Sequence, residues 1–281
     1  MTPELSVIMT TYNENANFLE TCIDSILNQT YKDFEFIIVI EPDERNERLL
    51  MHLAESDSRV RIIKNKIKSG IAESRNRAIT ASAGEYIALI DSDDYCDATR
   101  FEKQLSFLKN NPNISVVGSN LFLVNSADRI IGQRKYPELH NDIKKYFLQT
   151  MSIANPSVLT RKKDLDVIGF FNPRFPKAED LELWLRFLVQ NRKMYNIQEN
   201  LVYFRIPDEQ VEKRGHLHYR YNYLARKKYS KFIWTFHERL PSLIGYFLIS
   251  HAPDIIIKII LSRKISNKIK NVEINPMRQS G

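Results

Sequence analysis

The sequence predicts an α/β protein: a mainly parallel sheet flanked by helices, followed by a basic, mostly helical C-terminal extension. Three observations carry that expectation. Short apolar runs alternate with helix-periodic segments through the first two hundred residues. Polar and acidic residues collect where those runs end. The chain carries a net charge of +7, yet residues 213–281 alone hold 14 Lys and Arg against 3 Asp and Glu, so the remainder is net acidic.

Taken in order, Leu5 to Thr10 reads as a strand and Asn17 to Gln29 as a helix whose one face is Phe18, Leu19, Cys22, Ile23, Ile26 and Leu27. Phe34 to Ile40 is the next strand. Glu44 to Ala54 reads as a helix through Leu49, Leu50 and Leu53, and Val60 to Ile63 as a short strand. Gly70 to Ser82 has helical spacing, with Ser69 as its expected cap and Ile71, Ala72, Ala78 and Ile79 facing inward. Tyr86 to Ile90 is a buried strand. Strands alternating with helices imply right-handed crossovers, and ligands of such sheets bind beyond the carboxyl ends of the strands.

The last of these strands runs directly into Asp91-Ser92-Asp93-Asp94. Three crowded acids repel one another unless a cation or hydrogen-bond donors compensate them. Asp91 and Asp93 are two apart, so extended backbone turns them to the same side. Paired hard oxygen ligands suit Mg²⁺ or Mn²⁺, whose shells are commonly completed by water and substrate phosphates. A bare D-x-D is more often a charged turn, so its neighbours decide. The first strand ends at Thr10-Thr11-Tyr12-Asn13-Glu14 and the second at Glu41-Pro42-Asp43, while Arg75 lies on the helix before the acid strand. Tyr12 offers a face for stacking a base, Thr10 or Thr11 a hydrogen bond, and Arg75 a partner for base, ribose or phosphate. Together they favour a nucleotide site.

Composition narrows the alternatives. With 281 residues and 43% apolar content the chain can bury a large core, and two cysteines provide no disulfide framework. Cys22 falls on an apolar helix face. The N-terminus has no basic region followed by a long apolar stretch, so a cytoplasmic location is expected. Neither a G-x-x-x-x-G-K-[ST] loop nor a G-x-G-x-x-G turn is present, leaving phosphate charge to metal and side chains.

The segments SVIMTTYNE (6–14), SILNQTYKDFEFIIV (25–39), SGIAESRNRAI (69–79), GEYIALIDSDDY (84–95) and EDLELWLRF (179–187) closely resemble, in the correct order, the family 2 glycosyltransferases. The resemblance covers about residues 5–206. It implies the GT-A fold, with its Rossmann-like sheet, and an inverting, metal-dependent transfer of sugar from a nucleotide donor, usually a UDP-sugar, to a hydroxyl of a glycan or lipid-linked acceptor. By the same resemblance Thr10, Tyr12 and Glu14 match the base-binding first loop, and Arg75 the nucleotide-contacting arginine. Asp91 and Asp93 match the D-x-D, with Asp93 the principal metal ligand and Ser92 part of the donor site. Asp180 matches the general base. Inverting transfer needs one carboxylate to accept the acceptor hydroxyl's proton, and Asp180 lies beside Glu179 at the start of a strongly helical apolar stretch. Acids at such positions also serve as plain dipole partners. Glu179 is expected to support.

Two departures stand out. The family usually ends its second strand with two acids; here Ile40 and Glu41 occupy those places, so Glu41 is expected to serve the donor, with Asp43 a competitor. Many relatives carry a histidine after the Y-x-R segment, whereas here Tyr203-Phe204-Arg205-Ile206 leads into Pro207-Asp208 and the nearest histidines are His216 and His218. Ala154-Asn155-Pro156-Ser157 is either an acceptor-side segment or a turn before a strand.

The expected division is a catalytic domain over 1–210 and a basic, aromatic-rich tail over 211–281. Leu240 to Leu261 is apolar but broken by His251, Pro253, Asp254 and Lys258, which argues against a membrane span. Ile255 to Leu261, followed by Arg263, Lys264, Lys268 and Lys270, suggests a helix lying on an anionic membrane surface, which would place the enzyme on the inner face of the cytoplasmic membrane. Packing of the tail on the core or on another subunit is the other reading. A noncatalytic nucleotide-sugar-binding module would be expected to lose Asp180. Nucleic-acid binding through the tail leaves the acid cluster unexplained, and no nucleic acid partner is expected.

Overall fold

A computed structural model of the chain describes residues 2–206 and 216–253. Its centre is a nine-stranded sheet of order β3-β2-β1-β4-β8-β6-β9-β5, with β7 paired to β6. The strands are β1 Leu5–Thr11, β2 Phe34–Ile40, β3 Val60–Lys64, β4 Tyr86–Asp91, β5 Tyr95–Cys96, β6 Ile114–Val124, β7 Ile130–Arg134, β8 Leu159–Arg161 and β9 Lys193–Arg205. The first four are mutually parallel where they pair, as the crossover helices require. β8 runs antiparallel between β4 and β6, while β6 and β9 are parallel. The sheet is therefore mixed in its second half, which the apolar pattern of the first two hundred residues did not announce.

Alternation along the central strands feeds two cores. Ile8, Ile37, Val39, Ile87 and Leu89 face one layer, against Ala78 and Ile79 of α3 (Ile71–Ala81) and Trp184 and Phe187 of α7 (Glu179–Val189). Val7, Met9, Phe36, Ile38, Ala88 and Ile90 face the other. That second layer is closed by Leu19, Cys22, Ile23 and Ile26 of α1 (Ala16–Leu27), Leu50 of α2 (Glu47–Ser56), and Phe101, Leu105 and Leu108 of α4 (Arg100–Asn110). Two-sided burial explains why β1, β2 and β4 read as nearly continuous apolar runs. The short helices α5 (His140–Tyr146) and α6 (Lys162–Ile168) complete this part.

Two helix starts differ from expectation. Ser69 does not cap α3: the N-cap is Gly70, at φ +81°, and the carboxylate of Glu41 reaches from the end of β2 to accept hydrogen bonds from the backbone N–H groups of Ser69 and Gly70, at 2.9 Å each. A carboxylate placed at a helix N-terminus also complements the helix dipole. α2 begins at Glu47 rather than Glu44, because the Glu44 carboxylate is used to accept the N–H groups of Asn13 and Asn46.

After residue 215 come α8 (His216–Ile233) and α9 (Phe236–Ser250), the latter opened by a reciprocal Thr235–Glu238 capping box. Ala225, Tyr229, Ile233 and Trp234 join the core layer of Trp184, and the Tyr229 hydroxyl donates to Glu182 of α7 at 2.5 Å. This part of the extension is docked on the sheet domain. The Ile255 to Leu261 stretch lies outside the described residues. Among the described residues, no helix is long and apolar enough to cross a membrane.

Candidate functional site

The parallel register brings the expected donor residues to one sheet edge. Thr10 stands opposite Asp91 on β4, and Thr11 opposite Ile40 on β2, the residue before Glu41. Beyond β1 the chain turns through Asn13 at φ +55°, and the turn is held by Glu44 and by Arg45, whose N–H donates to Asn13 Oδ1 at 2.8 Å. Asn46 donates to the Glu14 carbonyl. Tyr12 is thereby left 44% exposed, with Lys68 Nζ 4.1 Å from its ring centroid. An exposed ring with a cation at its face can accept a planar group and place positive charge beside it. Thr11 Oγ1 is buried without a hydrogen-bond partner.

Glu41 is buried and committed. Besides the two N–H groups of the α3 start it accepts from Ser74 Oγ at 2.8 Å, and Asn65 in turn donates to that Ser74 oxygen. Burial raises its carboxyl pKa, but the hydrogen bonds outweigh it and hold the group below the usual carboxylate range. Direct contact with a base would compete with those bonds.

Arg75 is the hub of the site. Only 4% exposed, it donates to Asp91 Oδ1 at 2.6 Å and to Glu179 Oε1 at 3.3 Å, joining the end of β4 to the first turn of α7. Phe171 lies against its guanidinium, 5.3 Å from ring centroid to Cζ. Burial pushes the Glu179 carboxyl up to about 7, the neighbouring Asp180 charge adds to the rise, and Arg75 opposes it. Its second oxygen, Oε2, is buried without a hydrogen-bond partner. A carboxyl poised near neutrality inside an ion-paired cluster marks a functional-site candidate. Asp180 is half-buried beside it, with Oδ1 accepting the N–H of Leu181 at 2.6 Å.

The acid turn after β4 is braced from the far end of β9. The Arg205 N–H donates to Asp94 Oδ1 at 2.8 Å and its Nε to the Asp93 carbonyl at 2.9 Å. The guanidinium lies 3.8 Å from the Phe18 ring centroid and pairs with Asp128. Asp94 is almost fully buried; burial and the charges of Asp93 and Asp91 push its carboxyl well above the usual range. The sequence alone assigns no task to the third acid or to Arg205. The two are 111 positions apart, so no local pattern in the sequence announces their pairing.

His218 is brought to the loop opening α7, where its Nδ1 meets the Lys177 carbonyl at 2.9 Å. Asn155–Ser157 form a turn of 3₁₀ helix leading into β8. Ser157 Oγ is used internally, donating to the Ala154 carbonyl and accepting from the Ser119 N–H. Asn155 Oδ1 is buried and unpartnered.

The donor set at the acid turn fits a divalent cation completed by a ligand. Asp91 and Asp93 are half-buried carboxylates at the sheet edge, while the described residues hold no cluster of three or more His, Cys, Asp or Glu that would cage an ion unaided. Mg²⁺ and Mn²⁺ commonly take one or two carboxylates and fill the rest of the shell from phosphates and water.

The model for glycosyl transferase family 2 matches residues 6–166. An uncharacterised glycosyltransferase of Methanocaldococcus jannaschii is 30% identical over 93% of this chain and 94% of its own length. The O-antigen biosynthesis glycosyltransferase WbnJ of Escherichia coli is 34% identical over 76% of this chain and 84% of its own. WfgD of Escherichia coli, a UDP-Glc:alpha-D-GlcNAc-diphosphoundecaprenol beta-1,3-glucosyltransferase, is 31% identical over 66% of this chain and 70% of its own. Among solved structures, residues 1–349 of S. aureus TarS in complex with UDP-GlcNAc align with a TM-score of 0.64 and 18% identity, covering 87% of this chain and 71% of that one. The mannosyltransferase PcManGT of Pyrobaculum calidifontis, in complex with GDP-Man and Mn²⁺, aligns at 0.62 with 15% identity, covering 92% and 72%. At those identities the structural likeness speaks for the fold.

Proposed function

Since the chain belongs to glycosyl transferase family 2, we propose that it is an inverting, metal-dependent enzyme that transfers a sugar from a UDP-sugar to a hydroxyl of a glycan or lipid-linked acceptor in surface polysaccharide assembly. The observation that carries the reading is the cluster Asp91–Arg75–Glu179 at the carboxyl edge of the sheet, with Asp180 adjoining it. The donor class is supported by the UDP-glucose in the name of WfgD and the UDP-GlcNAc bound to TarS, and the acceptor class by the diphosphoundecaprenol of WfgD and the O-antigen of WbnJ.

In this reading Tyr12 stacks on the base, with Thr10 and Glu14 on the same loop. Glu41 acts mainly by fixing the start of α3, and hence Arg75 at its second turn. Asp93 and Asp91, with Ser92 between them, are the residues to hold Mn²⁺ or Mg²⁺, which when bound would neutralise the charge of the leaving diphosphate. Asp180 accepts the proton of the acceptor hydroxyl. Arg75 keeps positive charge against Asp91 while Glu179, protonated for part of the time near neutrality, limits the charge facing Asp180.

A thermal-shift panel of nucleotide sugars, with and without Mn²⁺, tests class and donor together. A UDP-sugar should stabilise the chain only with metal, and Asp93→Ala should remove that increment. Asp180→Asn should lower kcat by about 10²- to 10⁴-fold with unchanged donor binding. Near-normal transfer by that variant would remove Asp180 from the role of base.

A further inference from the structure

Helix α9 presents two different faces. One face is pinned to the domain: Ser242 Oγ donates to the Leu148 carbonyl, the Tyr246 hydroxyl donates to the Gln149 carbonyl at 2.9 Å, and Ser250 is buried. Those positions are spaced by four. The other face repeats the same spacing with Phe236, Leu240, Ile244 and Leu248, joined by Phe247, and every one of these side chains is exposed, Phe236 at 56% and Leu248 at 62%. Phe232, near the end of α8, is 63% exposed as well. A run of large apolar side chains at helical spacing, in open solvent, is unlike the scattered exposed apolar residues of ordinary surfaces.

The rim of the stripe is cationic. Lys231 Nζ lies 4.8 Å from the Phe232 ring centroid, Arg239 Cζ 5.6 Å from that of Phe236, and Lys227 Nζ 5.7 Å from that of Tyr223, whose ring in turn meets Phe247 edge-on. Among residues 216–253, Arg220, Arg226, Lys227, Lys228, Lys231 and Arg239 face a single acid, Glu238, which is already engaged in the capping box. Of these cations only Arg226 is buried.

We propose that this face of α8 and α9 docks on an anionic phospholipid surface, with Phe232, Phe236, Leu240, Ile244, Phe247 and Leu248 entering the headgroup boundary and the surrounding Lys and Arg meeting lipid phosphates. Apolar anchors bordered by cations are the pattern of an interfacial helix. A second copy of the chain is the poorer occupant, because a two-fold contact would set one basic rim against another. Nucleic acid would answer the cations and leave the apolar stripe in water. The docked face is coupled to the candidate site through α8, whose Tyr229 and His218 bond to Glu182 and to Lys177 at either side of Glu179 and Asp180. The inference concerns binding alone and does not rest on the catalytic reading.

The test is flotation of the full chain with vesicles of phosphatidylcholine alone or mixed with phosphatidylglycerol. The chain should float with the anionic vesicles and be released by high salt. Ile244→Asp combined with Phe247→Asp should lower partition at least tenfold, with unchanged circular dichroism and UDP-induced thermal shift. Lys227→Glu with Lys231→Glu, which leaves the apolar stripe intact, should lower partition to anionic vesicles severalfold. The proposal is overturned if the wild-type chain stays in the aqueous fraction, if both variants float as it does, or if light scattering shows a dimer dissolved by the Asp substitutions without any vesicle binding.

Discussion

Replacing Arg75 with Met tests the cluster that links β4 to α7, because it removes the charge and keeps most of the volume. The 3.3 Å contact with Glu179 corresponds to a gross attraction of about 5 kcal/mol at an effective dielectric near 20, before the desolvation of both groups is subtracted. Glu179 titrates at about 7, so its charge is largely present at about pH 8 and largely absent at about pH 5.5. The Asp91 contact is shorter, 2.6 Å, but that side chain is 31% exposed and solvent screens the pair to about 1 kcal/mol. Urea unfolding should therefore show Arg75→Met costing about 3 kcal/mol at pH 8 and about 1 kcal/mol at pH 5.5. In a Glu179→Gln background the cost should no longer change with pH. For Glu179 itself the sign is that of a carboxyl raised in the fold: the native state binds the extra proton, so stability declines as pH climbs from the ordinary range near 4.5 through about 7. An equal cost of Arg75→Met at both pH values, with unchanged m-values, would refute the reasoning.

Other substitutions probe neighbouring contacts. Glu41→Ala should cost about 2–3 kcal/mol in the same assay, since three donors at the α3 start lose a charged acceptor; because its carboxyl is held low, the loss should be full at neutral pH and fade as pH falls below the carboxylate range. Asp94→Asn should change stability by less than about 1 kcal/mol, keeping an acceptor for the Arg205 N–H at a position where burial already disfavours the charged carboxylate, whereas Asp94→Ala should cost about 2 kcal/mol. Gly118→Ala on β6 should lower stability by about 2–3 kcal/mol, because a Cβ would stand 2.5 Å from Asn196 Oδ1 and 2.6 Å from Ile153 Cγ1, and Asn196 is itself anchored to two carbonyls.

The first half of the fold was legible because its central strands β1, β2 and β4 are buried on both faces and each helix returns to the same sheet, so period and burial agree. From Arg100 onward the signal weakens. β8 has three residues and runs antiparallel between two longer strands, and β6 changes register against β9 at three places, so no local pattern announces the pairing. In the site, the residues named from the strand ends were brought to one edge, but their tasks were less visible. The sequence offers Glu41 to a ligand, yet a helix start 28 residues away uses its oxygens. Ser69 has the residue type and position of a cap, a place that a longer side chain from another element fills. Glu179 looked auxiliary because nothing in the local sequence tells that Arg75 lies under it.

The bracing of the acid turn separates geometry from charge. Arg205 grips it by a backbone carbonyl, that of Asp93, and by the buried carboxyl of Asp94. In the proposed reading, the path of the loop that carries the ion-holding side chains is set in part by a carbonyl and by a third acid that holds no ion. The same arrangement ties the path of that loop to a residue 112 positions away from Asp93, so under the proposed function a defect at the end of β9 would surface as a fault in donor binding although no residue of the proposed donor pocket had changed.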